Sequence, residues 1–153
     1  MKIKVVNGPN LNLLGIRKPE VYGTITYQEL TNQIQSFCAE RGITVEIVQS
    51  NHEGSIVDAI HDAYFKGFNG LIINPGAYTH YSYAIRDALE AIEGVLKVEV
   101  HLSNIYARES FRAINVIRDV VDWSIVGKGI EGYFEAITWI ASKKCRQRDT
   151  SSL

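Results

Sequence analysis

The 153-residue chain has little cysteine: Cys38 and Cys145 are its two thiols, in separate helical patterns with no metal-like spacing. That pattern excludes a cysteine-built zinc site. It reads as two reduced thiols of a cytoplasmic protein, with a structural disulfide as the alternative. Charge of one sign is lacking too. The formal net charge is −1, so no basic footprint for nucleic acid exists. No apolar run approaches the roughly 18 residues that suggest a membrane span. Met1-Lys2 leads straight into a strand-like run, so no secretory leader is expected. Internal repeats, low-complexity tracts and an interdomain linker are all missing. His52-Glu53 does not extend to HExxH, since position 56 is Ile, and His52 and His61 read as surface residues.

What is present is an ordinary globular composition, 46% hydrophobic and 22% charged. The length supports one domain with its own core, placed at residues 1–145, and a polar 146–153 tail expected to fray. The elements alternate. Residues 2–7 read as a strand. Thr26 and Glu29 form a capping box for a helix carrying Tyr27, Leu30, Ile34, Phe37 and Cys38, with a stop at Arg41-Gly42. Residues 43–49 are a second strand, and Ser55 caps a helix carrying Ile56, Ala59, Ile60, Ala63 and Tyr64. Residues 69–74 are a near-continuously apolar strand, as expected when both faces are buried. A helix with Ile85, Leu89 and Ile92 stops at Gly94. Strands over 95–101 and 123–126 follow, then a helix marked by Ile130, Phe134, Ile137 and Ala141. Such alternation implies a parallel sheet with right-handed crossovers. The expectation is a three-layer α/β sandwich of flavodoxin-like type, five strands in the order 2-1-3-4-5.

Four of the strands run into polar clusters: Asn7-Gly8-Pro9-Asn10, Gln49-Ser50-Asn51-His52-Glu53, Asn74-Pro75-Gly76 with His80 beyond, and His101-Leu102-Ser103-Asn104. In a parallel sheet all four lie on the edge where open α/β folds bind small molecules. Residues 8–25 form a long, structureless link of the kind that often acts as a lid. Residues 104–122 are equally long, either a second wall of the site or a helix of poor periodicity.

The chemistry can be read from these clusters. Arg17 on a lid can close over an anionic substrate. Tyr22 beside cations can ionise more easily and serve as a general base, or it can merely anchor the loop. Glu99 and His101, two apart on a strand, share a face, and a carboxylate beside an imidazole fixes its tautomer and favours its protonated form. His101 is thus a candidate general acid. Asn74 and His80 can satisfy loop backbone or donate to substrate hydroxyls. Backbone amides around Leu102 and Ser103 can face the pocket. Arg108 and Arg112, four apart, would share a helical face, either solvated or gripping a carboxylate. Gly127 to Gly132 resembles a phosphate-binding turn without the full pattern, and it reads as a strand-to-helix turn.

The same residues carry a family likeness. Asn7-Gly8-Pro9-Asn10-Leu11, Tyr22-Gly23, Asn74 to His80, Glu99 to Asn104, Ala107 to Arg112 and Gly127 to Tyr133 resemble type II 3-dehydroquinate dehydratase, and the match runs from residue 3 to about 144. The resemblance implies a flavodoxin-like fold and a homo-oligomer, a dodecamer built from trimers. It implies trans-elimination of water from the small anion 3-dehydroquinate to 3-dehydroshikimate through an enolate, with no metal, cofactor or Schiff base. By matching position it makes Tyr22 the base at C2 and His101 the acid for the C1 hydroxyl. Arg17 is the charge on the lid. Asn74, His80, Leu102, Ser103 and Arg112 hold the substrate. Asp87 reaches a neighbouring subunit's site, and Asn10 orients a water near the enolate oxygen. Glu99 and Arg108 support these groups. The chain departs from the family at Tyr106, where many members have His, and over residues 113–118. The alternatives are a nucleotide- or flavin-binding module of the same fold, or a silent assembly subunit.

Overall fold

The computed structural model describes residues 1–151, with side chains through 143 apart from that of Tyr22. Five strands, β1 (Lys2–Asn7), β2 (Thr44–Gln49), β3 (Gly70–Asn74), β4 (Leu96–His101) and β5 (Trp123–Val126), pair in parallel in the order β2-β1-β3-β4-β5. Five helices follow the chain: α1 (Pro19–Tyr22), α2 (Tyr27–Ala39), α3 (Glu53–Phe65), α4 (Tyr83–Ala91) and α5 (Glu131–Ser151). The expected sheet order and fold class are both found.

Strand alternation assigns the two layers. Ile3 and Val5 of β1 pack with Leu30 and Ile34 of α2 and with Ile137 and Ile140 of α5. Val6 points the other way, into Ile56 and Ile60 of α3 and Ile85 and Leu89 of α4. β3 is buried along its whole length because helices cover both faces, whereas the edge strand β2 stays partly exposed. Lys4 shares the face of Val6 and is only 1% exposed, a burial that sequence periodicity did not signal. Its ammonium is tolerated because Asp62 and Glu46 stand 3.1 and 3.2 Å away.

The capping box at Thr26 and Glu29 forms as expected, with both reciprocal hydrogen bonds present. Three local expectations are corrected, and one left open is decided. α3 begins at Glu53 rather than after a Ser55 cap, with His52 at the N-cap position and Ser55 inside the helix. Tyr64 turns to solvent, because the face carrying Ile56, Ile60 and Ala63 already fills the core. Residues 8–25 are not structureless: they hold a 3-10 turn at Leu11–Leu13 and α1, with Leu11 and Leu14 buried against the core. The 104–122 segment is three short 3-10 turns, at Ile105–Ala107, Ser110–Ala113 and Arg118–Val120, and not one helix. Its C-terminal part buries Ile117 and Val121 in the layer of α3 and α4. Gly127 and Gly129, at φ of 81° and 56°, make the tight strand-to-helix turn expected there.

Cys38 is a buried free thiol, and burial pushes its pKa up to about 11. The side chain of Cys145 lies outside the described residues. So do residues 152–153 and the side chains of the expected frayed tail, although the helical backbone is described to Ser151. Among the described residues no helix is long and apolar enough to cross a membrane, and no group of three His, Cys, Asp or Glu could hold a metal ion.

Candidate active site

The sheet order reverses between β1 and β3, and there the chain leaves adjacent strand ends in opposite directions. The two loops that diverge are clasped at their roots. The Gly8 amide donates to the Asn74 carbonyl at 2.7 Å. A Cβ on Gly8 would lie 2.6 Å from the Pro75 carbonyl oxygen, and one on Gly76 would lie 3.1 Å from that of Pro9. Glycine is required at Gly8 by close backbone approach and favoured at Gly76 by its positive φ of 60°.

Above this clasp is a pocket. Pro9, Asn10 and Leu11 come from the β1 end, Asn74, Gly76 and His80 from the β3 end, and His101, Leu102 and Ser103 from the β4 end. Arg17, Arg108 and Arg112 add three cationic walls. Nine of the twelve residues singled out in the sequence therefore line one cavity. Of the others, Glu99 lies buried behind His101, and Asp87 sits exposed on α4, away from the pocket of its own chain. The side chain of Tyr22 lies outside the described residues; its backbone ends α1, on the segment that carries Arg17.

The strand geometry produces the expected carboxylate–imidazole pair. His101 Nε2 donates to Glu99 Oε2 at 2.7 Å, and both groups are buried. Burial opposes ionisation of Glu99, but hydrogen bonds from His101, Ser124 and Asn115 outweigh it and hold the carboxyl below its usual pKa. With Nε2 committed to Glu99, Nδ1 is the imidazole nitrogen left for a reaction partner.

His80 is arranged differently. Its Nδ1 lies 2.7 Å from the Ile114 carbonyl, an acceptor, so that nitrogen carries the proton. Burial lowers the ring's pKa, with the Ile114 bond opposing, so the neutral ring offers Nε2 as an acceptor. The two pocket histidines are thus held differently, His101 by a buried carboxylate and His80 by a backbone carbonyl.

Arg108 and Arg112 do not share a helix, contrary to their spacing, because the first 3-10 turn of the segment ends at Ala107 and the next begins at Ser110. Glu109 gathers them instead. Its carboxylate accepts from Arg112 Nε at 2.6 Å and lies 3.9 Å from Arg108 Nε. Its own backbone amide and Arg112 hold its pKa down at about 2. The sequence reading passed over Glu109, although a carboxylate between two arginines that face one pocket is a usable signal.

The β2 cluster also behaves unlike its three counterparts. It braces the first loop rather than lining the pocket. Gln49 Nε2 donates to the Gly8 carbonyl at 3.1 Å, and the Asn51 side chain accepts from the Asn10 amide at 3.0 Å. That brace holds Asn10 at a left-handed φ of 70°. Beneath the pocket, Tyr133 of α5 is fully buried and its hydroxyl donates to Asn7 Oδ1 at 2.6 Å. Burial pushes this phenol far up, so it stays neutral.

The glycine turn at 127–132 is not a phosphate cradle. The Gly127 and Gly129 amides donate to the His101 and Leu102 carbonyls at 3.1 and 3.0 Å, and so fix the β4 loop. This removes the feature on which a nucleotide-binding reading would rest.

Comparison with known proteins gives the chain's family. Residues 1–141 match the family model described as dehydroquinase class II. A 3-dehydroquinate dehydratase of Lachnospira eligens is 49% identical over 147 residues, covering 94% of this chain and all of that protein. The enzyme of the same name from Thermotoga maritima is 51% identical, covering 94% and 96% of the two chains. The crystal structure of type II dehydroquinase from Butyrivibrio crossotus superposes with a TM-score of 0.91 at 54% identity, over 92% of this chain and 97% of that one. Sequence, fold and pocket lead to one assignment: the chain belongs to the dehydroquinase class II family.

Proposed function

We propose that this chain is a type II 3-dehydroquinate dehydratase, and that the strand-end pair Glu99–His101, facing a pocket walled by three arginines, carries the reading. The reaction removes a proton α to a ketone and expels a hydroxyl. It needs a base, a stabiliser for the enolate oxygen and an acid for the leaving group. Tyr22 is the base at C2. His101, through Nδ1, protonates the departing C1 hydroxyl, while Glu99 stabilises the charged imidazolium. Asn10 orients a water at the enolate oxygen. Arg17 and Arg112 attract the anion, with Arg108 supporting them. Asn74, Ser103 and the Leu102 backbone fix the ring, and His80 accepts from a substrate hydroxyl.

Glu109 occupies the Nε edge of Arg112, which leaves the terminal guanidinium nitrogens for a substrate carboxylate. The substrate-binding residues come from three strand ends and two long loops, so the reacting centre is held by the sheet while the charged walls belong to the connections. In the assembled protein, a dodecamer of trimers, the exposed Asp87 of one subunit reaches the neighbouring site. A sedimentation experiment returning a monomer would remove that role for Asp87.

The test is a metal-free assay. Protein and 3-dehydroquinate are mixed with a chelator, and the ultraviolet absorbance of the conjugated enone product is followed. A steady rise is expected. Tyr22→Phe should lower kcat by about 10²–10⁴-fold with an unchanged circular dichroism spectrum. Full activity in that variant would remove Tyr22 from the mechanism, and no rise with the parent protein would reject the enzyme.

A further inference from the structure

Two side chains that the sequence did not single out, Asn115 and Ser124, meet His101 at one buried group, Glu99. Glu99 Oε2 accepts from Asn115 Nδ2 at 2.7 Å as well as from His101. Glu99 Oε1 accepts from Ser124 Oγ at 2.7 Å. The carboxylate is wholly buried, so these donors replace the water that would otherwise solvate it. Ser124 is brought there by sheet register, since Glu99 and Ser124 are direct partners across β4 and β5. Asn115 is brought there by its own turn. Its Oδ1 accepts from the Ile117 and Arg118 amides, each at 3.0 Å, which fixes the side chain and aims the amide nitrogen inward. The same nitrogen stands 3.4 Å from the Tyr106 hydroxyl.

We propose that Asn115 and Ser124 are positioning residues for the dehydration: they clamp Glu99 as an ionised acceptor aimed at His101, so that His101 holds its catalytic proton on Nδ1. This deepens the dehydratase reading and rests on it. Three donors converge on two carboxylate oxygens, which fixes the plane of Glu99 and hence the imidazole it orients. Other charged and titratable groups of the described residues lie on the elements packed around this cluster. Lys97, two residues back on the same face of β4, is drawn to the carbonyls of Leu89 and Ile92 at 2.7 and 2.8 Å. His80 is the other ring within electrostatic reach, beside Arg112. Arg86 and Asp119 neutralise each other where the 116–119 segment meets α4.

The experiment uses Ser124→Ala, which deletes one donor, and Asn115→Asp, which keeps the turn-capping oxygen while replacing the inward donor by a carboxylate. Losing a donor raises the Glu99 pKa, so Glu99 takes up its proton at a higher pH. The acid limb of kcat/KM should move up by about one pH unit. kcat should fall about tenfold with KM little changed. Ser124→Thr, which restores a hydroxyl, should return the profile towards that of the parent. The Glu99 carboxyl, followed by carbon-13 NMR, should titrate at higher pH in both damaged variants. Lost activity with an unmoved acid limb and an unmoved carboxyl titration would mean a structural role only and overturn the proposal. So would unchanged activity. A parent protein inert towards 3-dehydroquinate would defeat the dehydratase reading instead, and the carboxyl titration would still decide whether the clamp exists.

Discussion

His101→Ala is expected to lower kcat by about 10²–10⁴-fold and to weaken the fold at the same time. The catalytic loss follows from removing the acid that protonates the leaving hydroxyl. The stability loss follows from Glu99, which is 0% exposed and would keep its charge without its imidazole partner. Breaking a buried pair on one side typically costs about 3–5 kcal/mol. Asn115 and Ser124 still donate to Glu99, so the lower end of that range is expected. The sign of the pH dependence is fixed. In the parent protein the Glu99 pKa is depressed, so its stabilisation is present above the unfolded value and lost as pH falls through the folded one. The variant lacks most of that stabilisation. The gap between the two proteins should therefore be widest at neutral pH and narrow as the medium is made acid. Urea unfolding at both pH values measures it, and a gap that stayed constant would mean that Glu99 is not the group responsible.

The second large effect is structural and lies away from the reacting groups. Gly8→Ala places a methyl group 2.6 Å from the Pro75 carbonyl oxygen, 2.7 Å from its carbon and 3.0 Å from the Asn74 oxygen. All three neighbours are backbone, so no side chain can swing aside. Strain of this kind costs about 1–3 kcal/mol, and relief requires the β1 and β3 loops to separate. Separation breaks the 2.7 Å bond between Gly8 and Asn74 and moves Asn10 and Asn74 apart. Loss of both stability and kcat is expected. Gly54→Ala in α3 is the matched comparison, because an added methyl there meets nothing within 4 Å. It should gain about 0.4–1 kcal/mol and leave activity untouched. Equal behaviour of the two variants in denaturant and in the assay would show that the clasp carries no strain.

The sheet was legible because apolar runs of strand length alternate with helical periodicity, and those signals are local. The pocket was legible for a related reason: in a parallel sheet, the polar cluster after each strand must fall on one edge. Glu99 and His101 were paired by strand parity alone. What stayed hidden needed partners far along the chain. Ser124 reaches Glu99 only through the β4–β5 register. Gln49 and Asn51 belong to a strand-end cluster like the others, yet brace the first loop because β2 is the edge strand, outside the pocket. Arg108 and Arg112 were misplaced because their spacing suits a helix, while the chain there folds as separate 3-10 turns held by Glu109. Nothing local marks Lys4 as buried, and only Asp62 of α3 and Glu46 of β2 explain how its charge is accommodated.

The hydrogen bond from Tyr133 to Asn7 spans 126 residues. It ties the end of the first strand to the last helix, directly below the pocket. A chain emerging from the ribosome makes Asn7 near the start and Tyr133 near the end. Until α5 arrives, Asn7 lacks the hydroxyl that satisfies its buried oxygen, and the Gly127 and Gly129 amides that fix the β4 loop have not yet been delivered. The ordering entropy of so distant a contact is spent late in folding. Catalytic competence is thus a property of the finished chain, and a partly synthesised copy cannot draw on the metabolite pool.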